Sequence, residues 1–190
     1  VEKVKKMDWP PLAVAHSGRP VPSLDYIRSW LFDSALPLWS TAGVDLINGG
    51  VHEALHHDGT PADPGFKRLR VLARQIYCFS HAKLLGWNGN SDNVLHHLFD
   101  TLTGTGWHAD GGWIHTFNTD GSVRDGQRDT YDQFFVLFAL AWLWRATNWP
   151  EAKEWAERTI AYIDGNLADT ENGGFFESSQ RTDYRRANPH

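Results

Sequence analysis

Gly49-Gly50-Val51-His52-Glu53-Ala54-Leu55-His56-His57-Asp58-Gly59 and Gly111-Gly112-Trp113-Ile114-His115-Thr116-Phe117-Asn118-Thr119-Asp120-Gly121 share one frame: a glycine pair, seven residues, then Asp-Gly. The second copy lies 62 positions after the first. A third glycine pair follows after another 62, in Asn172-Gly173-Gly174-Phe175-Phe176-Glu177. Trp87 maps onto Trp149 under the same shift. A period of this size is the signature of a repeat architecture, in which each unit buries its apolar face against the next.

Working outward from these markers, the intervening segments read as helices. Ser23 caps a helix expected over about 24–36, with Leu24, Ile27, Leu31, Phe32 and Ala35 on its apolar face and Pro37 ending it. From Phe66 to about Leu85, the residues Leu69, Leu72, Ala73, Ile76 and Phe79 form a helical stripe that Gly86 stops. Ser91 or Asp92 caps a third helix to about Leu102. A fourth spans about 127–146, and its stretch Phe134–Trp144 is apolar all round, as expected of a helix buried on every side. Pro150 opens a fifth, to about Leu167, with Glu151 and Glu154 near its positive end. The segments Val51–His57 and Trp113–Thr119 are too short for ordinary helices and read as small β-hairpins or extended loops. The unit is helix, Gly-Gly loop, helix. The fold class is all-α, a stack of helix pairs in two layers. Residues 1–22 read as an N-terminal arm and 23–190 as the repeat domain.

Composition narrows the function classes. Of 190 residues, 41% are hydrophobic and 22% charged, enough apolar material for a packed core. The net charge is −5, and no basic run is longer than Arg185-Arg186, which argues against a nucleic-acid partner. The longest apolar run has eleven residues, about half of what a membrane span needs, so no membrane partner is expected. Cys78 is the single cysteine, so a reducing, cytoplasmic setting is the simplest expectation. The charged start, Val1-Glu2-Lys3-Val4-Lys5-Lys6, has no apolar stretch behind it, and no signal peptide is expected. Ten tryptophans are the unusual feature. They suit either a large aromatic core or a cleft that stacks sugar rings.

Several motifs then fall together. They are Trp39-Ser40-Thr41-Ala42-Gly43-Val44-Asp45, the Gly49-Gly50 and Asp58-Gly59 markers, and Lys67-Arg68-Leu69-Arg70-Val71-Leu72-Ala73-Arg74-Gln75-Ile76-Tyr77. Arg128-Asp129-Thr130-Tyr131-Asp132-Gln133-Phe134 and Arg185-Arg186-Ala187-Asn188-Pro189-His190 complete the set. Together they resemble the N-acylglucosamine 2-epimerase family, which includes mannose isomerases and a group of mannose-6-phosphate isomerases. The resemblance runs from about Trp30 onward. It implies an (α/α)6 barrel of six helix pairs, of which the three repeats here make about half.

The resemblance also implies a chemistry. Family members interconvert sugars at C2, or between C1 and C2, through a cis-enediol(ate) and without a cofactor. A histidine removes the C2 proton and another often returns it. Such chemistry needs a base near neutral pKa and a donor at the developing enolate oxygen. Arg74 matches the family arginine that points at the sugar oxygens; the alternative is an ion pair with Asp45 or Asp129. Tyr131 matches a family tyrosine at the sugar site; the alternative is a core tyrosine. Asn188 matches the asparagine of Arg-x-Asn-Pro-His-Met-His, and Trp113 is expected to line the cleft. The proton-transfer histidines are expected in later repeats, so the 190 residues correspond to an N-terminal half. The expected partner is a monosaccharide or sugar phosphate, with a homodimer through the unclosed face as a further expectation.

Other constellations read less sharply. His52-Glu53-Ala54-Leu55-His56 fits the zinc-protease pattern, which requires a helix to set both imidazoles on one face; the glycine markers confine it to a hairpin, and no metal is expected. Asp45, Glu53, Asp129 and Asp132 are available for a glycoside hydrolase, an alternative class that also uses α/α barrels. A non-catalytic half-barrel that binds sugar or self-associates is the other alternative. Asp58 and Asp120 read as turn residues. His115 sits on a Gly-Gly loop, which the resemblance implies is at the barrel mouth. Cys78, beside Phe79, reads as core. Lys67, Arg68 and Arg70 form a basic patch suited to a sugar phosphate or to a solvated helix start.

Overall fold

The computed structural model describes residues 13–14, 20–21 and 23–180. The N-terminal arm is described only as a short antiparallel pair, β1 (Ala13–Val14) with β2 (Pro20–Val21). The Arg185–His190 motif, Asn188 included, lies outside the described residues.

The first helical stretch is longer than its sequence predicts. It runs as α1 (Leu24–Trp30), a π-helical turn (Leu31–Ala35) and α2 (Leu36–Thr41). Ser23 caps it, its hydroxyl accepting the Tyr26 N–H at 3.1 Å. Pro37 does not end it. In the π register an N–H reaches back five residues, as Leu36 does to Leu31. Pro37 has no N–H to offer Phe32, and that carbonyl instead accepts the Trp87 indole N–H at 3.1 Å. The helix passes through the proline because a side chain from 55 residues away fills the gap.

The repeat is visible in the hydrogen bonds. Isolated bridges Val44↔Val51, Trp107↔Trp113 and Ala168↔Phe175 close the three glycine-pair loops. In each, an N–H donates to the second glycine's carbonyl: Asp45 to Gly50, His108 to Gly112 and Asp169 to Gly174. The paired glycines all have φ between 72° and 89°, where a Cβ is strained. The first two loops continue into the expected hairpins, β3 (Ala54–Leu55) with β4 (Pro61–Ala62), and β6 (Thr116–Phe117) with β7 (Val123–Asp125). Asp58 and Asp120 are turn residues, accepting the N–H groups of Thr60 and Ser122 at 3.0 and 2.9 Å. The strand β5 (Lys67–Arg68) pairs with β6, so the second repeat's hairpin rests on the start of the first repeat's next helix.

The remaining helices follow the sequence in place and order, with two corrections. Lys67 and Arg68 pair as a strand rather than opening the second expected helix, and Asn90, not Ser91 or Asp92, is the N-cap residue of the third. These helices are α3 (Leu69–Leu84), α4 (Ser91–Thr105), α5 (Thr130–Thr147) and α6 (Pro150–Asn166). The helices α3 and α5 pack side by side as one layer, with α4 behind α3 and α6 behind α5. The core lies between these layers: Leu69, Leu72, Ile76 and Phe79 of α3 meet Leu95, Leu98 and Leu102 of α4. The glycine-pair loops lead into α3 and α5, which places the start of both at one end, the mouth.

A further expectation is corrected. The apolar stretch Phe134–Trp144 is not buried on every side. Val136, Ala139, Leu140 and Leu143 are buried, but Phe134, Phe138 and Trp144 are about two-fifths exposed. Trp144 borders α6, with Lys153 Nζ 5.8 Å from its ring centroid, and Phe134 and Phe138 lie on the other side of α5, away from its packed stripe. Among the described residues, Tyr131, Phe134, Phe135 and Phe138 line an open cavity there.

The loops carry a stability prediction. A Cβ on Gly112 would lie 2.4 Å from the Tyr162 ring and 2.7 Å from the Arg128 side chain; on Gly65, with a similar φ, it would meet nothing within 4 Å. Gly65→Ala is therefore expected to cost about 1–2 kcal/mol of left-handed strain. Gly112→Ala adds a steric clash and costs clearly more. Denaturant unfolding of the two variants checks this, and equal losses would contradict it.

Candidate active site at the mouth of the half-barrel

Arg74 lies in the second turn of α3 and Tyr131 in the first turn of α5, on the faces that α4 and α6 leave open. The sequence places them 57 residues apart; the side-by-side packing of α3 and α5 brings them together. Arg74 Nη2 donates to Tyr131 Oη at 3.1 Å. The guanidinium also lies over the Phe135 ring, 4.6 Å from its centroid. Both residues are exposed. Arg74 makes no ion pair with any described carboxylate. Asp45 is paired with Lys67 instead, and Asp129 caps α5, accepting the Tyr131 N–H at 2.9 Å. An arginine on an apolar helix face without a carboxylate partner, steadied by a ring and a phenol, is available to an external oxygen.

A second cluster stands beside it, and sequence reading did not assemble it. Asp132, 0% exposed, follows Tyr131 on α5. One of its oxygens is 2.5 Å from His115 Nδ1 and the other 3.2 Å from Arg70 Nε. His115 is held on both sides of its main chain, accepting the Leu69 N–H and donating to Asp125. The neighbouring Gln133 grips the same loop: its Oε1 accepts the Trp113 N–H and its Nε2 donates to the Trp113 carbonyl, both at 2.7 Å. Burial pushes the Asp132 carboxyl up, against the opposing pull of His115 and Arg70. The signals were present in the sequence as Tyr-Asp-Gln and a loop histidine; the β5–β6 register that joins them was not.

Trp113 is a correction. It was expected at the cleft wall, yet it is 0% exposed. Its indole N–H donates to Thr159 Oγ1 at 2.8 Å, and its ring packs against Trp107 and Trp155. A residue next to a glycine pair can point either way, and Gln133 turns this one into the core. Cys78 is the opposite case: it is exposed on the open face of α3, where its surroundings nonetheless raise the thiol pKa by desolvation.

The basic patch is largely neutralised. Lys67 Nζ donates to Asp45 at 2.6 Å, Arg68 pairs with Glu53, and Arg70 contacts Asp132. Three of the four carboxylates weighed for hydrolysis, Asp45, Glu53 and Asp132, are thereby engaged, and the fourth, Asp129, caps α5. The pair His52 and His56 lies in a turn and hairpin rather than on a helix. Among the described residues, no three His, Cys, Asp or Glu side chains form a metal-binding group. No described helix is long and apolar enough to cross a membrane.

Helix pairs stacked in two layers, with arginine and tyrosine side chains at the mouth and glycine-pair loops around it, define a partial α/α barrel. The family model of N-acylglucosamine 2-epimerase (GlcNAc 2-epimerase) matches residues 49–190. The chain belongs to the N-acylglucosamine 2-epimerase family. It is 37% identical over 123 residues to a protein named mannose-6-phosphate isomerase from Rhizobium meliloti (strain 1021), covering 62% of this chain and 30% of that one. Among solved structures it resembles cellobiose 2-epimerase from Spirochaeta thermophila DSM 6192, with a TM-score of 0.75 and 26% identity. That match covers 81% of this chain and 38% of the other. It also shares the fold of a D-mannose isomerase, with a TM-score of 0.74 and 20% identity over 85% of this chain and 41% of that one. The chain thus spans well under half the length of these relatives. The expected fold class and family are both borne out.

Proposed function

We propose that this chain supplies one wall of the sugar cavity of a cofactor-free isomerase or 2-epimerase acting on mannose or a closely related sugar. The observation that carries the reading is the Arg74–Tyr131 pair, an arginine with no carboxylate partner among the described residues, hydrogen-bonded to a phenol on the open face at the mouth. Membership of the family supports sugar isomerase or epimerase chemistry, and the 37% identical relative named mannose-6-phosphate isomerase supports a mannose-type substrate.

The geometry suits proton transfer next to a carbonyl. Loss of the C2 proton leaves negative charge on an enediolate oxygen. A fixed guanidinium and a phenolic O–H stabilise that charge more than they stabilise the neutral sugar, which lowers the barrier. Arg74 polarises the sugar oxygens, and Tyr131 orients both Arg74 and the sugar. Asn188 is proposed as a third sugar contact. The bases that take and return the proton are proposed to be histidines of later repeats.

The test is product identification. The natural protein carrying this chain is incubated separately with mannose, mannose 6-phosphate and N-acetylglucosamine, and the products are separated by chromatography. A ketose or a 2-epimer from one of them is expected. No conversion of any, together with release of new reducing ends from a disaccharide, would replace this reading with a hydrolase.

A further inference from the structure

The pair Arg74 and Tyr131 does not account for everything at the mouth. Arg70 lies one helical turn before Arg74 on the same face of α3 and lines a groove of about 510 Å³ with Thr130, Tyr131 and Glu177. Its guanidinium is fixed from three sides. Nε is 3.2 Å from Asp132, Nη2 is 3.5 Å from His115 Nε2, and the guanidinium carbon is 5.3 Å from the Tyr131 ring centroid. Among the described residues, Nη1 has no hydrogen-bond partner.

This arrangement is poorly explained as a stability device. Asp132 is wholly buried, and burying a carboxylate is costly unless its hydrogen bonds are good. Here Arg70 Nε and Asp132 Oδ1 are both buried without a partner in hydrogen-bond geometry. An apolar pair would pack the same space at lower cost. What the three ionisable groups do achieve is orientation: His115 and Asp132 come from a loop and a neighbouring helix, and both converge on one guanidinium at the groove's edge.

We propose that Arg70 is a second sugar-binding arginine, and that Asp132 and His115 are positioning residues that act through it. The inference rests on the isomerase or epimerase reading above. Its ligand class follows from charge. Asp132 offsets the positive charge of Arg70, and Asp129 and Glu177 also line the groove. A phosphate dianion is disfavoured there. Neutral vicinal hydroxyls suit it, because a planar guanidinium offers paired donors without requiring a counter-charge.

The test uses the natural protein carrying this chain, with steady-state kinetics on mannose and mannose 6-phosphate and a melting curve for each variant. Arg70→Lys keeps the charge and removes the fork. It is expected to raise KM at least about tenfold, roughly 1.4 kcal/mol, with kcat little changed. His115→Asn, whose amide keeps a donor near the Nδ1 position for Asp132 and removes the Nε2 that faces Arg70, is expected to raise KM in the same direction with little change in melting temperature. The double variant is expected to fall short of the product of the two single effects, since both act through one guanidinium. An active parent whose KM is unmoved by Arg70→Lys overturns this inference and leaves the isomerase reading standing. So does a loss that appears only as a lower melting temperature. A parent that converts no sugar overturns the isomerase reading and this inference with it.

Discussion

Arg74→Ala in the natural protein is expected to lower kcat/KM by about a hundredfold to a thousandfold, the usual consequence of removing one charged donor from a developing oxyanion, about 2.7–4 kcal/mol. The loss falls mainly on kcat, because the guanidinium meets full negative charge only after the C2 proton has gone. Stability is expected to change by no more than about 0.5 kcal/mol, since Arg74 is exposed and forms no ion pair with a described carboxylate. Its contact with Phe135 is worth little at an exposed site. Tyr131→Phe removes the phenol that orients Arg74 and is expected to give a smaller loss in the same direction. The two readouts separate the roles: a structural arginine would lower the melting temperature and spare kcat. Steady-state kinetics beside a melting curve make the comparison.

Lys67→Met is expected to act the other way, on stability first, with a loss of about 3–5 kcal/mol, the scale for stripping one partner from a buried ion pair. Asp45 and Lys67 are 3% and 7% exposed. Lys67 Nζ donates to Asp45 at 2.6 Å and to the Gly49 carbonyl at 3.1 Å, which ties the first glycine-pair loop to the strand before α3. Without Lys67, Asp45 is a buried carboxylate left, among the described residues, with the N–H groups of Ile47 and Asn48, the Asn48 side chain and the His52 ring 4.0 Å away. The paired variant Asp45→Asn with Lys67→Met is expected to recover much of the loss.

The same pair sets an acid limit. Burial pushes the Asp45 carboxyl up, but the Lys67 ammonium and the Asn48 donors outweigh it and hold the carboxyl far below its ordinary 3.8. A carboxyl depressed in the folded state contributes stability that is fully present above the unfolded value and is lost as pH falls toward the folded one. The wild type is therefore expected to lose this contribution progressively below about pH 4. The double variant is expected to show a shallower acid slope. Urea unfolding at neutral pH and between pH 4 and 2 reads both effects, and an unchanged Lys67→Met at neutral pH would contradict the assignment.

Much of the fold was legible in the sequence because it rests on short-range rules. The stripe from Leu69 to Phe79, the stop at Gly86 and the start at Pro150 follow from local periodicity, a terminal glycine or a first-turn proline, whereas the cap expected at Ser91 or Asp92 falls on Asn90 instead. The 62-residue period showed that one unit recurs, and the loop hydrogen bonds repeat in step with it. What was not legible depends on partners distant in the chain. The passage through Pro37 needs the indole of Trp87. The inward turn of Trp113 needs Gln133 and Thr159. The open face of the Phe134–Trp144 stretch depends on which helices pack beside it, not on its own composition.

The candidate site divides along the same line. Arg74 and Tyr131 were named from their motifs, and the structure brings them to one hydrogen bond. Arg70, Asp132 and His115 were each visible, but in separate roles: a basic patch, a hydrolase carboxylate and a loop histidine. Only the pairing of Arg68 with Thr116 across β5 and β6, next to the start of α3, sets His115 against Asp132 and Arg70. Asn188 lies outside the described residues and stays a proposal.

The most direct test of the account is solvent-proton exchange. Mannose is incubated in heavy water with the natural protein carrying this chain, and the sugar pool is examined by proton NMR. The account predicts that the C2 signal of mannose fades as deuterium enters, and that it does not fade with the Arg74→Ala variant on the same timescale. A C2 proton that persists undiminished, in mannose and in each of the other two candidate sugars, would contradict enediolate chemistry and with it the central claim.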